Sequence, residues 1–113
     1  MLVRNLTRDT VLGDQIGRAV TSDARRTGLL QRESLPAGHG LWIAPCEAVH
    51  TIGMRFPIDV LFLDRARRIV KIRPALGRWR AAVSWRARSV LELPAGTVAR
   101  TGTQAGDVLA FED

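Results

Sequence analysis

The amino-acid sequence predicts a mainly β fold, a compact β-sandwich or small barrel of short strands with one short helix. Three observations predict it. Short apolar or alternating segments recur along the 113 residues, glycine and proline turns separate them, and one segment carries the signals of a helix. Neither a repeat nor a linker divides the chain, so residues 1–113 are predicted to form a single domain.

The N-terminal part supplies two predicted strands and the helix. The segments LVRNLT and QIGRAV are short, and polar turn residues separate them. In the next segment, TSDARRTGLLQRESLP, the first three residues offer an N-cap, and Pro36 prevents a helix from continuing beyond Leu35. Because Gly28 lies inside this segment and weakens it, we expect a helix of about two to three turns.

Four further segments predict strands. GLWIAP follows a glycine-rich turn at residues 38–40, and SVLELPAG ends in a proline–glycine turn. In RRIVKIRP, Val70 and Ile72 share one face, while Lys71 and Arg73 share the other. The segment GDVLAFED supplies the last predicted strand.

The middle segment, CEAVHTIGMRFPIDVLFLD at residues 46–64, alternates with a period of two. Its even-numbered residues are nearly all apolar, which predicts a strand with even-numbered side chains pointing inward. Leu61 and Leu63 are odd-numbered and apolar, which indicates burial on both faces there. Gly53 and Pro57 interrupt the pattern, so we expect two shorter strands that are split within residues 53–57.

The same segment raises the question of a metal or thiol site, because Cys46, His50 and Met54 are spaced by four. On a strand, residues four apart lie about 13 Å from each other, too far to share one ion or to form a nucleophile–base pair. A helix would bring Cys46 and His50 together, and His39 offers one more ligand. We favour the strand, and so predict no metal, no cofactor, an inert core cysteine and a hydrogen-bonded core histidine.

Charge is distributed unevenly along the chain. The net charge is +6, and Lys71 is the single lysine among 17 basic residues. No acidic residue lies between Asp64 and Glu92, so residues 65–88 form a basic stretch. Arginine suits phosphate and carboxylate, although an Arg- and Ala-rich genome also explains its use. The predicted anion-binding patch comprises Arg65, Arg67, Arg68, Arg78, Arg80, Arg86 and Arg88.

An acidic protein or a polyanion is the partner that this basic stretch suits. Nucleic acid is not expected if the stretch is extended, because Trp79 and Trp85 would then face the core while the arginines face water. A loop would remove that objection. The start of the chain, MLVRNLTRDT, has no hydrophobic signal core and no apolar run is long enough to span a membrane, which predicts a cytoplasmic protein.

The order of short motifs resembles the prokaryotic domain-of-unknown-function family one-nine-two, DUF192, over roughly residues 12–111. The residues that carry the resemblance are Gly28, Leu29, Leu30, Arg32, Leu35, Gly40 to Ile43, Met54, Pro57, Ile58, Asp59, Leu91, Glu92, Leu93, Ala95 and Gly96. The sequence departs from the family pattern at HTIGMRF, where relatives more often have an aromatic residue, Met and an Asn-Thr pair. The resemblance implies a compact β-sandwich or barrel with one helix, and little about chemistry. Some relatives look as though they carry export signals.

Five polar residues are candidates for a small-ligand site. Thr51, Arg55 and Asp59 share the odd-numbered face beside the break at residues 53–57, where a bulge would bind a small polar ligand. The alternative is that Asp59 ties down the turn with Arg55 as its solvated partner. His50 and Arg32 complete the candidate set.

The sequence therefore favours a binding or accessory module for a small polar or anionic ligand or partner. The alternative is a small enzyme that uses Asp59 and His50 as acid–base groups. No phosphate-binding loop and no Ser-His-Asp order are seen, and no catalytic residue is assigned. A cavity beside residues 53–57, and the side chains that line it, would distinguish the two.

Overall fold

The computed structural model of the protein describes residues 1–30 and 32–113, without the side chain of Arg26. Within this part of the chain the fold is mainly β, and its strands do not close into a barrel. The strands are β1 Leu2–Asn5, β2 Thr10–Gly13, β3 Gln15–Ala19, β4 His39–Ile43, β5 Ala48–His50, β6 Ile58–Leu63, β7 Ile69–Leu76, β8 Ala81–Val83, β9 Ser89–Pro94 and β10 Leu109–Glu112. Two short helices, α1 Ser22–Thr27 and α2 Thr97–Thr101, complete the elements.

Three sheets organise these strands. The central sheet has the order β3-β4-β9-β6-β7, a second sheet has the order β10-β1-β2, and β5 pairs with β8 alone. Only β3 and β4 run parallel among the paired strands of the described residues. A parallel pair needs a crossover connection, and α1 with its following loop provides it.

The central sheet is covered on both faces, which explains the continuous apolar run of β6. Ile58 and Phe62 pack into one buried cluster with Leu29, and Leu61 and Leu63 pack into a second cluster. All six residues of β6 are buried. The prediction of burial on both faces is confirmed, as is the mainly β class with short strands and little helix.

The predicted helix is shorter than we expected. Thr21 caps α1 with its side-chain oxygen on the Ala24 N–H at 3.1 Å, as the N-cap signal predicted. Gly28 then takes a positive φ of 50° and ends the helix after six residues. The expected two to three turns were therefore wrong, because glycine ended the helix instead of weakening it. The second helix, α2, was not predicted.

The middle segment splits into β5 and β6 as predicted, but its inward face reverses along the way. Thr51 is buried, whereas Ala48, His50 and Ile52 are exposed. From Met54 onward the even-numbered residues do point inward, apart from the partly buried Phe56. The reason is that β5 lies outside the central sheet and pairs only with β8, so its odd-numbered Val49 packs against the core.

Candidate functional site

A cleft of about 250 Å³ lies between the end of α1, β5 and the central sheet. Its apolar wall comes from the turn after α1, from β4 and from the segment around β5. Five of its lining residues carry polar side chains. These are Arg25, Thr27, Cys46, His50 and Glu92. The cleft therefore combines an apolar wall with a few convergent polar groups, the usual make-up of a small-molecule site.

Glu92 is the central polar group of this cleft. It lies in the middle of β9, opposite Leu41 of β4 and Val60 of β6, and only 5% of its surface is exposed. Its strand neighbours Leu91 and Leu93 point into the other buried cluster, so Glu92 points toward the cleft. Among the described residues, its carboxyl group has no hydrogen-bond partner or ion pair.

Burial raises the pKa of Glu92 to about 7 from an ordinary value of 4.5. The cause is desolvation, because a carboxylate loses its hydration in the cleft and gains no donor in return. Near neutral pH the group is thus divided between the acid and the carboxylate. It can donate one hydrogen bond in the first form and accept several in the second.

Gly28 leaves the space beside this carboxyl group open. A Cβ atom placed on Gly28 would stand 4.0 Å from the Glu92 Oε1 atom. Gly28 also has the positive φ that ends α1, so one glycine both turns the chain and borders the cleft. Any longer side chain there would extend toward Glu92.

Cys46 lines the cleft as a thiol. Burial raises its pKa, and the nearby Glu92 acts in the same direction, while Arg25 acts against them. The thiol donates a hydrogen bond to the Ala48 carbonyl oxygen at 3.1 Å. A protonated thiol with its hydrogen engaged is a poor nucleophile.

Arg25 and His50 supply the positive and titratable character of the cleft rim. Arg25 donates from Nη1 to the Val20 carbonyl oxygen at 2.7 Å, which fixes one side of its guanidinium group. His50 is exposed at the open side of the cleft. The prediction of a hydrogen-bonded core histidine was therefore wrong, because β5 turns its even-numbered side chains outward.

The structure separates the other four candidate residues from the cleft. The buried Thr51 hydroxyl lies 2.6 Å from the Gly77 carbonyl oxygen and accepts from the Arg80 N–H at 2.8 Å. Arg55 pairs with the exposed Glu33 at 3.1 Å, and Arg32 is exposed. Their proposed role in ligand binding stays a prediction.

Asp59 is buried on β6, and both of its carboxylate oxygens have backbone partners. Oδ1 accepts from the Ala75 N–H at 2.7 Å and Oδ2 accepts from the Val98 N–H at 2.8 Å. Ala75 has a positive φ of 47° at an irregularity in the β6–β7 pairing, and Val98 lies in the first turn of α2. Asp59 thus anchors β6 to β7 and to α2. The alternative weighed from the sequence was an anchor for the nearby turn with Arg55 as its solvated partner, but Arg55 pairs with Glu33 instead.

Sequence reasoning missed Glu92 and Arg25 as site residues. The signal for Glu92 is an acidic residue inside the apolar strand VLEL, at a position facing the core. Arg25 carries no such signal, because its place at the cleft depends on where α1 packs. Among the described residues, no group of three or more His, Cys, Asp or Glu is placed to hold a metal ion.

The arginines of the predicted patch fall into two groups. Arg67 stacks over Trp42 and Phe111, with its guanidinium carbon 4.6 and 4.8 Å from the two ring centres, and Arg68 donates to the Gly106 carbonyl oxygen at 2.7 Å. With Arg65 they lie at the β6–β7 connection. The other four lie around β8, and are Arg78, Arg80, Arg86 and Arg88.

Both tryptophans of the basic stretch are exposed, contrary to the alternation argument. Trp79 is 67% exposed and Trp85 is 80% exposed. The argument assumed an extended strand, but β8 covers only Ala81–Val83 and each tryptophan lies in a turn outside it. Trp79 also has a positive φ of 60°, which breaks the alternation of faces. The stated objection to nucleic-acid binding therefore lapses.

The chain was compared with curated proteins and with solved structures. No curated protein matches the chain. A structure of "a protein of unknown function" from Novosphingobium aromaticivorans has a TM-score of 0.82 at 21% identity, covering 97% of this chain and 82% of that one. A structure of a "putative transcription regulator" from Sinorhizobium meliloti has a TM-score of 0.83 at 26% identity, covering 96% and 89%.

No helix within residues 1–30 and 32–113 has the length and apolar character needed to cross a membrane.

The family model DUF192, described as "Uncharacterized ACR", matches residues 5–111, which is nearly the whole chain. Two of the residues that carried the resemblance have defined places in the fold: Gly28 ends α1, and Glu92 lies within β9. The chain belongs to the DUF192 family.

Proposed function

We propose that this protein is a binding module whose cleft takes a small organic molecule with an apolar part and a cationic or hydrogen-bond-donating group. The observation that carries the proposal is Glu92, a carboxyl group that is buried, faces the cleft and has no partner among the described residues. An unpaired buried acid is costly, and a ligand that donates a hydrogen bond to Glu92 would reduce that cost.

The size and lining of the cleft narrow the class of ligand. A volume of about 250 Å³ is slightly below the range of roughly 300–1,000 Å³ that is typical of drug-sized ligands. The apolar wall suits an aliphatic or small aromatic group, and Glu92 suits an ammonium, amidine or amide donor. Arg25 at the rim suits an acceptor or a carboxylate on the same molecule. A small amine or an amino-acid-like zwitterion meets all three conditions.

An acid–base enzyme is the second candidate, and Glu92 is also the observation that favours it. A carboxyl group with a pKa near 7 is matched to proton transfer at neutral pH. Glu92 and His50 then replace the Asp59 and His50 pair considered from the sequence, since both oxygens of Asp59 accept backbone hydrogen bonds. The relative described as a transcription regulator is more in keeping with a binding module.

The test is a ligand screen that compares the parent protein with Glu92→Gln and with Glu47→Gln. Glu47 is an exposed carboxyl group and serves as the matched control. Small amines, amino acids and their amides are added while thermal unfolding is measured. A ligand at a hundred times its Kd stabilises by about 2.7 kcal/mol, which such a measurement detects easily.

We expect ligands that stabilise the parent and Glu47→Gln and have no effect on Glu92→Gln. NMR shifts from the bound ligand should map to the end of α1 and to β5. Ligands that stabilise Glu92→Gln as well as the parent would overturn the proposal. Conversion of a bound compound, lost in Glu92→Gln, would establish the enzyme.

A further inference from the structure

We propose that a second surface of the protein binds single-stranded nucleic acid. This surface, called the Trp–Arg surface, is formed by the segments before and after β8. It combines two exposed tryptophans with four exposed arginines, one of which, Arg78, donates from Nε to the Met54 carbonyl oxygen at 3.1 Å. Its members are Trp79, Trp85, Arg78, Arg80, Arg86 and Arg88.

Backbone hydrogen bonds fix the two turns that carry the exposed indole rings. The turn that carries Trp79 is attached to the buried Thr51, whose N–H donates to the Arg80 carbonyl oxygen at 2.7 Å. The turn that carries Trp85 is attached to the residue before β5 through the Ser84 N–H, which donates to the Glu47 carbonyl oxygen at 2.9 Å. Because the backbone beneath each ring is already ordered, only the side chain loses freedom when a base stacks on it.

The spacing of the rings suits an extended strand of nucleic acid. Trp79 and Trp85 flank the three residues of β8 at its two ends. Six residues of extended chain span at most about 20 Å, so the rings can contact two separate bases a few nucleotides apart. An open groove of about 490 Å³ lies beside Trp85 and is lined in part by Arg88 and Glu47. In the proposed complex, Arg88 binds a phosphate group and the Glu47 carboxylate accepts a hydrogen bond from a base amino group.

The arginines of this surface differ from three arginines elsewhere in the described chain. Arg4, Arg18 and Arg55 each pair with a carboxylate at 3.2, 2.7 and 3.1 Å. No carboxylate of the described residues pairs with any of the four arginines around β8. The positive charges of Arg80, Arg86 and Arg88 remain available for phosphate groups, whereas Arg78 has its Nε on the Met54 carbonyl oxygen.

The alternation of aromatic and cationic side chains favours a nucleic acid over a lipid surface. Trp79 has an arginine on each side in the sequence and Trp85 is followed by one, so each aromatic residue has a cationic neighbour along the chain. The exposed large aliphatic side chains nearby are only Ile52 and Val83, and Val83 is just 36% exposed. A lipid-inserting surface needs a larger continuous apolar area. Stacking accepts every base, so little dependence on sequence is expected.

The experiment measures fluorescence anisotropy of labelled single-stranded DNA of several unrelated sequences, with duplex DNA and anionic phospholipid vesicles as competitors. The variants are Trp79→Ala with Trp85→Ala, and Arg80→Glu with Arg86→Glu. Two matched controls change the same kinds of group elsewhere: Leu6→Ala with Val11→Ala removes exposed apolar side chains, and Arg4→Glu with Arg18→Glu reverses paired arginines.

We expect single strands to bind in preference to duplex and to quench tryptophan fluorescence. The tryptophan double variant should bind at least fivefold more weakly at fixed salt with an unchanged salt dependence, because each stacked base contributes favourably. The arginine double variant should weaken binding to all sequences and lower the salt slope, and both controls should bind like the parent.

Three outcomes would overturn the proposal. Equal binding of duplex and single strands, indifferent to the tryptophan substitutions, would show charge attraction alone. Displacement of DNA by vesicles that bind more tightly would assign the surface to anionic lipid. If single strands do not bind at low salt, the surface does not bind nucleic acid. That result would not affect the cleft proposal, which the ligand screen tests separately.

Discussion

Replacing Glu92 by glutamine should stabilise the protein above neutral pH, although the substitution lies in the middle of the central sheet. The carboxyl group is buried, and its pKa is raised to about 7 from 4.5. The folded state therefore holds a proton that the unfolded state releases between these two values. Stability must fall as pH rises through this window and level off above about pH 7.

The magnitude follows from the difference between the two pKa values. A difference of about 2.5 units corresponds to a penalty of about 3 kcal/mol above pH 7, since each unit is worth about 1.4 kcal/mol. Glutamine keeps the shape of the neutral acid and cannot ionise. Glu92→Gln should thus match the parent near pH 4.5 and exceed it by about 3 kcal/mol near pH 8, or by on the order of 10 °C in Tm.

The assay is chemical unfolding followed by circular dichroism at a series of pH values, with Glu47→Gln as the matched control. Glu47 is exposed, so its substitution should leave the pH dependence unchanged. The reasoning is refuted if Glu92→Gln shows the same slope as the parent between pH 4.5 and 7, or is the less stable protein near pH 8. Either result would mean that the carboxylate has a partner in solution.

Three further predictions concern the fold and the metal question. Asp59→Asn leaves one backbone N–H without its acceptor and should lower the free energy of unfolding by about 1–3 kcal/mol; a variant that melts like the parent but loses a ligand would show a functional role. Gly40→Ala should lower the free energy of unfolding by about 1–3 kcal/mol, because the added Cβ meets a backbone oxygen at 2.7 Å. At Gly17 the nearest atom is 3.5 Å away, so Gly17→Ala serves as the control and should be tolerated better. Equal melting temperatures of the two alanine variants would contradict this reasoning. Purified protein should hold no stoichiometric zinc or copper by elemental analysis; about one ion per chain, lost in Cys46→Ser, would reverse the strand argument.

The sequence predicted most strands because strand breaks, apolar runs and helix caps depend on residues that are neighbours in the chain. Glycine and proline at residues 53 and 57 split the middle segment as expected, since neither residue suits a regular ladder at that point. The continuous apolar run of β6 predicted burial on both faces, and the two clusters that contain Ile58 and Leu61 confirm it. The N-cap at Thr21 was equally visible, because it needs only a neighbouring N–H group.

The candidate site was largely out of reach of the sequence. The five residues chosen shared a face or a break in one segment, yet only His50 lines the cleft. The cleft instead joins side chains from α1, β5 and β9, which are far apart in the chain. Glu92 could have been noticed as an acid in an apolar strand, but its lack of a partner becomes visible only when the opposing elements are in place.

By itself, the sequence determined the mainly β class, the break between β5 and β6, and the excess of positive charge in the basic stretch. The tertiary structure decided which faces are exposed. Alternation gives two faces to every strand, but only the pairing of strands and the packing of layers decides which one meets water. Because β5 and β8 pair with each other outside the central sheet, His50, Trp79 and Trp85 lie at the surface, while Glu92 is buried in the cleft that β5 borders.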